Sequence, residues 1–90
     1  MSNIECVYGC HFNEITQKYR ERLELKGQCL SDLVSYLDKK YPGFEKEVME
    51  STVRELATSN GILLEREGEN THPLFSLSAE IFDGDILTFF

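Results

Sequence analysis

The 90-residue chain has no tryptophan, only two prolines, and no apolar run near the roughly 18 residues that a membrane-spanning helix needs. Its N-terminus, MSNIECVYG, lacks the basic start and apolar stretch of a secretory signal. We therefore expect a cytoplasmic protein that makes no membrane contact. A chain of this length builds one hydrophobic core, so residues 1–90 are predicted to form a single domain.

Basic side chains are also scarce. The chain has 9 Lys and Arg against 16 Asp and Glu, which gives a formal net charge of −7 and a pI near 4.7. Nucleic-acid affinity comes mainly from Lys and Arg displacing counterions, so binding to nucleic acid is not expected. A basic protein partner is the natural complement of this charge.

Cysteine is sparse and odd in number, at three, which predicts reduced thiols. Cys6 and Cys10 are predicted to lie on one strand, about 13 Å apart, which is too far for a disulfide or a shared metal. We interpret both as small core residues, and Cys29, which lies at the start of a predicted helix, in the same way. His11 and His72 have no neighbours at metal-ligand spacing.

Catalytic motifs are missing as well. The sequence contains no Gly-rich phosphate loop and no Ser/His/Asp order. Asp83 and Asp85 flank a glycine, as Asp residues do in turns, and Arg66 lies in a charged segment that is predicted to be solvated. We therefore predict no catalytic residue, no cofactor-binding residue and no metal ligand. The chain is expected not to be an enzyme, and a partner enzyme would carry out any chemistry.

Two alternating segments open the chain and predict a hairpin. From Ile4 the apolar face of the first strand is formed by Ile4, Cys6, Tyr8 and Cys10. Residues 13–18 are polar and are predicted to form a turn. In the second strand Tyr19, Leu23 and Leu25 are predicted to point inward, with Arg20 and Arg22 outward.

The period then changes to that of a helix. The predicted apolar stripe consists of Cys29, Leu30, Leu33, Val34, Leu37 and Tyr41, and Pro42-Gly43 ends it. A second, shorter helix is predicted within residues 45–59. Strands are then predicted at residues 62–64, 74–77 and 86–90, with a turn at Asp83-Gly84-Asp85. This order predicts an α+β fold, a mixed sheet of four to five strands on one main helix followed by a helical insertion.

Three segments together resemble the MoaD/ThiS family of sulfur carriers and its relative, the ubiquitin-related modifier. They are IECVYGCHFNEIT, LSDLVSYLDKKYPGF and FSLSAEIFDGDILTFF, in the family's order and over roughly half of the chain. The resemblance implies a β-grasp, ubiquitin-like fold. It also implies a carrier whose terminal Gly-Gly carboxylate is adenylated by an activating enzyme and converted to a thiocarboxylate, as in molybdopterin and thiazole synthesis.

The given sequence stops at Phe90, where a family member would continue to Gly-Gly, so no catalytic residue is carried over. One hypothesis is a carrier of the molybdopterin synthase small-subunit type, partnered by an adenylating enzyme or a larger synthase subunit. The alternative is a non-conjugating ubiquitin-like interaction domain that binds partners and transfers nothing.

The last predicted strand has Leu87 and Phe89 on the side of the helix, so its other residues face outward. In a β-grasp the first strand lies beside the last, so Val7, which is predicted to point outward on the first strand, lies next to these residues. Exposed apolar patches commonly mark partner sites. We predict a partner interface formed by Val7, Ile86, Thr88 and Phe90; the alternative is that the tail or the loop after Glu65 covers it.

Overall fold

The computed structural model describes residues 2–53, 61–74 and 76–90. Along these residues the elements are β1 (Ser2–Tyr8), α1 (Cys10–Thr16), β2 (Arg20–Leu25), α2 (Leu30–Lys40), α3 (Phe44–Val53), β3 (Ile62–Glu65), β4 (His72–Leu74) and β5 (Ile86–Phe89). The strands form one sheet in the order β2-β1-β5-β3-β4. Only β1 and β5 pair in parallel among the described strands. The predicted α+β class and mixed sheet are confirmed.

The strands bury one face because their apolar residues alternate with polar ones. The buried strand residues are Ile4, Cys6, Tyr8, Leu23, Leu25, Ile62, Leu64, Leu87 and Phe89. Leu87 and Phe89 therefore face inward, as predicted. Their neighbours along β5 have the opposite orientation and form the outer face of the sheet.

Helix α2 covers this inner face as the sequence predicts. Its buried residues are Leu30, Leu33, Val34 and Leu37, and Tyr41 packs partly buried beside them. The helix begins where the Asp32 carboxylate accepts the backbone N–H groups of Gln28 and Cys29, at 3.0 and 3.2 Å. It ends at Lys40, just before Pro42-Gly43.

A cluster of aromatic rings attaches the two other described helices to the same face. Phe12 from α1 and Phe44 from α3 lie with ring centroids 5.1 Å apart, and Phe44 meets Phe89 edge-on, also at 5.1 Å. Tyr8 completes the cluster, 5.9 Å from Phe44. Such tilted and edge-on contacts are favourable for aromatic pairs. Consequently all three described helices lie on one side of the sheet.

The prediction of a turn at residues 13–18 is wrong, because α1 occupies Cys10–Thr16. The first strand also ends earlier than predicted, at Tyr8, so Cys6 and Cys10 do not share a strand. The apolar Phe12 is followed by Ile15 and Thr16 at helical spacing, and these three residues face the core. Gln17 ends the helix in the left-handed conformation, with φ 58°.

Smaller corrections concern the predicted strands. Tyr19 does not point inward with Leu23 and Leu25; it lies just before β2 and is 78% exposed. The brief strand predicted at residues 74–77 is wrong, because β4 is His72–Leu74. The second helix is confirmed as α3 over Phe44–Val53, and the rest of its predicted range, residues 54–59, lies outside the described residues.

Within the described ranges, no helix combines the length and apolar character needed to cross a membrane.

Candidate functional site

Strand β5 is central to the outer face, and the register places its neighbours on either side of Thr88. Val7 on β1 and Leu63 on β3 are both the direct register partners of Thr88. Directly opposite residues project to the same face of a sheet, with Cβ atoms roughly 5 Å apart. Val7, Thr88 and Leu63 therefore form a row across three strands.

The four predicted interface residues all lie on this outer face. They and Leu63 are partly buried, in contrast to the buried Leu87 and Phe89 between them. We call the five residues the outer patch: Val7, Leu63, Ile86, Thr88 and Phe90. Leu63 was missed because it stands within the continuous apolar run Ile62-Leu63-Leu64, where alternation cannot be read.

The end of the outer patch is formed by Phe90 packed over backbone. Phe90 and Gly61 exchange two backbone hydrogen bonds of 3.0 and 2.8 Å, which extend the β3–β5 ladder by one pair. A Cβ atom at Gly61 would lie 4.0 Å from Phe90 Cζ, and one at Gly9 would lie 3.4 Å from Phe90 Cβ. The Phe90 side chain therefore lies within van der Waals distance of both glycine positions.

Charged residues border the outer patch on its β2 side. Glu5, 14% exposed, pairs with both Arg20 and Arg22, the latter through Nε at 3.3 Å. Both Arg side chains are exposed, at 65% and 88%. On the opposite side Glu65 is the register partner of Ile86. The apolar row thus has a polar rim, as protein interfaces have.

Near one end of the outer patch, a buried ion pair fixes the start of β5. Asp85 is 1% exposed and accepts two hydrogen bonds from Arg66, at 2.9 and 2.8 Å, and one from the Phe82 N–H at 2.8 Å. The Arg66 guanidinium also lies 4.5 Å from the centre of the Phe82 ring. The predicted turn at Asp83-Gly84-Asp85 is confirmed, but the sequence interpretation of Arg66 as part of a solvated surface is wrong.

A second charged cluster lies on the inner side of the sheet, away from the outer patch. The Glu21 carboxylate, 9% exposed, accepts hydrogen bonds from Tyr8, Tyr41, Lys40 and Lys18, at 2.6, 2.9, 3.0 and 3.2 Å. Burial alone would raise the pKa of Glu21, but these four donors outweigh it and lower the pKa to about 2. The cluster joins β2 to β1 and to the end of α2.

The described thiols have structural surroundings. Cys6 is fully buried, and burial raises its pKa to about 12, so it is neither nucleophile nor ligand at neutral pH. Cys29 contacts Ser31 and Asp32 at the start of α2. Within the described part of the chain, no group of three or more His, Cys, Asp or Glu side chains is arranged to hold a metal ion.

The side chains of the outer patch offer apolar contact area rather than reactive groups. Its side chains are aliphatic, aromatic or a single hydroxyl, and its rim is made of opposite charges. This composition suits the docking of another protein surface, in which apolar residues at the centre lose contact with water.

Comparison with solved structures identifies the fold. The chain is similar to a Pyrococcus furiosus protein described as molybdopterin converting factor, subunit 1, with a TM-score of 0.70 and 22% identity, over 98% of this chain and 94% of that one. It also matches SAMP1 from Haloferax volcanii, a ubiquitin-like modifier, with a TM-score of 0.66 and 18% identity, over 99% and 93% of the two chains. At these identities the likeness establishes the β-grasp, ubiquitin-like fold, and confirms the resemblance at that level. No family model and no curated protein matches the chain.

Proposed function

We propose that this chain is a ubiquitin-like sulfur carrier of the MoaD type, which acts in the cytoplasm in cofactor synthesis or sulfur transfer. Its partners in this proposal are an adenylating enzyme and a larger synthase subunit, as for the small subunit of molybdopterin synthase. The outer patch is the surface through which they dock. The chain itself supplies a carrier terminus, and the partner enzyme supplies the catalysis.

One observation carries the proposal: the outer patch is apolar and continuous across the three central strands, and it ends at Phe90. Val7, Thr88 and Leu63 are adjacent in register, and Phe90 closes the row beside Gly61. A partner seated on this face is therefore next to whatever part of the chain follows β5. A docked domain and a terminus delivered beside it are what a carrier requires.

In this proposal the domain presents a terminal carboxylate and supplies no catalytic group. In the first step the terminal carboxylate attacks the α-phosphorus of ATP in the partner's active site, forming an acyl adenylate and releasing pyrophosphate. The carrier must present that carboxylate on a thin segment, which is the role that Gly-Gly has in the family. The proposal therefore requires a natural product that continues for several residues past Phe90 and ends in Gly-Gly.

The test is an ATP–pyrophosphate exchange assay with the natural full-length product and the adenylating enzyme of the same organism. We expect exchange to depend on this protein and to fall by about tenfold or more in Phe90→Ser and in Ile86→Ser, because each removes apolar contact area from the docked complex. Tyr36→Ser is the matched control, since Tyr36 is exposed at 41% on α2, on the other side of the sheet.

Two outcomes would contradict the proposal. Full ATP–pyrophosphate exchange in both folded outer-patch variants would show that the partner docks on another surface. No exchange with the natural product, together with stable complexes in the absence of ATP, would favour the non-conjugating interaction domain, which uses the same apolar face without transferring anything.

A further inference from the structure

Strand β2 is an edge of the sheet, and its free side is set by the pairing with β1. Tyr8 donates its N–H to the Tyr19 carbonyl at 2.7 Å, one step beyond the last register pair of β1 and β2, Val7 with Arg20. In an antiparallel pair, hydrogen-bonded residues alternate with residues whose N–H and C=O groups point away. The residues of β2 at odd positions therefore bond to β1, and those at even positions face the open edge.

The even positions of β2 are Arg20, Arg22 and Glu24. Their partners on β1 use their own backbone groups on the other side, as when Glu5 donates its N–H to the Asp85 carbonyl at 3.0 Å. Among the described residues, no group bonds to the backbone N–H or C=O of these three. All three residues are exposed. Unpaired edge groups of this kind can accept another strand.

The edge is basic although the protein is acidic. The segment KYRERLELK, residues 18–26, has four basic and two acidic side chains, whereas the whole chain has a formal charge of −7. One of the two acidic residues, Glu21, is already bound by Lys18 and Lys40. Glu5, the nearest carboxylate on β1, is shared by Arg20 and Arg22. A surplus of positive charge therefore remains along the edge.

One further feature favours binding at this edge. Tyr19, which precedes the strand, is 78% exposed, and Tyr and Arg are the residue types most enriched at binding hot spots.

We propose that the edge of β2 binds an extended acidic segment of a partner protein by strand addition. The free N–H and C=O groups of Arg20, Arg22 and Glu24 form the ladder, and the surrounding Arg and Lys side chains select for acidic residues. A second copy of this chain is the wrong occupant, because two basic edges would repel each other. The free backbone groups of this edge lie beyond the outer patch, although Arg20 and Arg22 also form its charged border. The proposal does not depend on the proposed carrier function.

The first experiment maps binding on the unmodified protein by nuclear magnetic resonance. The probe is an octapeptide of alternating valine and glutamate, with blocked ends, and its control replaces each glutamate with lysine. We expect the amide signals of Arg20, Arg22 and Glu24 to shift with the acidic peptide and to gain protection from hydrogen exchange. Those of Thr88 and Leu63, on the outer patch, remain unchanged. Equal shifts with the basic peptide, or no shifts at β2, would overturn the proposal.

Paired variants at Glu24 separate backbone bonding from charge. Glu24→Thr removes a repelling carboxylate and keeps the N–H, so we expect affinity for the acidic peptide to rise by about twofold. Glu24→Pro removes the same carboxylate and the free N–H, so affinity should fall by about tenfold or more. Proline is tolerated here because this N–H is not used in the β1–β2 ladder.

Arg22→Thr supplies an independent test that keeps every backbone group. It should weaken binding by about threefold and reduce the salt dependence, because one attractive charge is lost. Equal affinity of the folded Glu24→Pro and Glu24→Thr variants would show that the edge forms no ladder. A concentration-dependent dimer, abolished by Glu24→Pro, would assign the edge to a second copy. Either result would overturn the proposal.

Discussion

The Tyr8 hydroxyl donates a 2.6 Å hydrogen bond to the Glu21 carboxylate, and so links the antiparallel strands β1 and β2 through their side chains. Tyr41 donates to the same carboxylate oxygen at 2.9 Å from beyond the end of α2. Lys18 and Lys40 donate to the other oxygen. One carboxylate thus joins β1, β2 and the α2 terminus at the border of the core.

Replacing Glu21 by Gln should lower the free energy of unfolding by about 1–3 kcal/mol at neutral pH, because the new amide would face two ammonium groups. Urea denaturation measures this. The folded pKa of Glu21 is lowered from 4.5 to about 2. The stabilisation is therefore present above about pH 4.5 and is lost as the pH falls toward 2. The difference in the free energy of unfolding between wild type and Glu21→Gln should therefore become smaller as the pH falls over that range.

The matched control is Glu24→Gln, on the same strand and exposed. It should change the free energy of unfolding by less than about 0.5 kcal/mol at any pH. If the difference in the free energy of unfolding between wild type and Glu21→Gln did not depend on pH, it would contradict the role given to the charged carboxylate.

The ion pair of Arg66 and Asp85 predicts a second stability effect. Asp85→Ala should cost about 3 kcal/mol, because it leaves the guanidinium and the Phe82 N–H without their acceptor. Arg66→Lys keeps the charge but cannot donate two parallel hydrogen bonds, so it should cost about 1–2 kcal/mol. Chemical denaturation measures both. Glu69→Gln is the control, since that carboxylate is 50% exposed and 3.8 Å from Arg66, and it should have almost no effect.

The two faces of β5 should respond differently to the same substitution. Phe89 is fully buried and contacts three other rings, so Phe89→Ser should cost about 3–5 kcal/mol. Phe90 is on the outer face, and Phe90→Ser should leave the domain folded at a cost of about 1 kcal/mol. Thermal unfolding followed by circular dichroism distinguishes them. Loss of the fold in Phe90→Ser would place this residue in the core and refute the outer patch.

The buried thiol predicts a pattern of chemical modification. The pKa of Cys6 is raised to about 12 by burial, so iodoacetamide should modify it only after unfolding, at least about 100-fold more slowly than Cys29. Cys29 is partly exposed at the start of α2. Peptide mapping by mass spectrometry reports each site separately. Equal rates in the native protein would show that β1 opens readily or is not buried as described.

Local patterns in the sequence were sufficient to predict an element where its apolar residues recur with a clear period. The α2 stripe, the inward residues of β1 and the Asp-Gly-Asp turn were all predicted, since spacing alone determines which side chains share a face. Helix α1 was missed because residues 13–18, polar apart from Ile15, conceal its short apolar set, and Phe12 contributes through contacts with Phe44 and Phe89. These contacts join residues from separate elements, so no local pattern reveals them.

The site was predicted in part for the same reason. The outward residues of β5 follow from alternation, but Leu63 could be assigned only from its register with Thr88. Arg66 and Asp85 lie nineteen positions apart, and only the folded sheet brings them together. The open edge of β2 likewise depends on strand order, which the sequence pattern alone does not specify.

The carrier account is tested most directly by the intact mass of the protein isolated from its natural source. The account predicts a species heavier than residues 1–90, in which the extra residues end in Gly-Gly and a fraction has one terminal oxygen replaced by sulfur. A single species with the mass of residues 1–90 would contradict it, because no glycine terminus would then be present for the partner enzyme to activate.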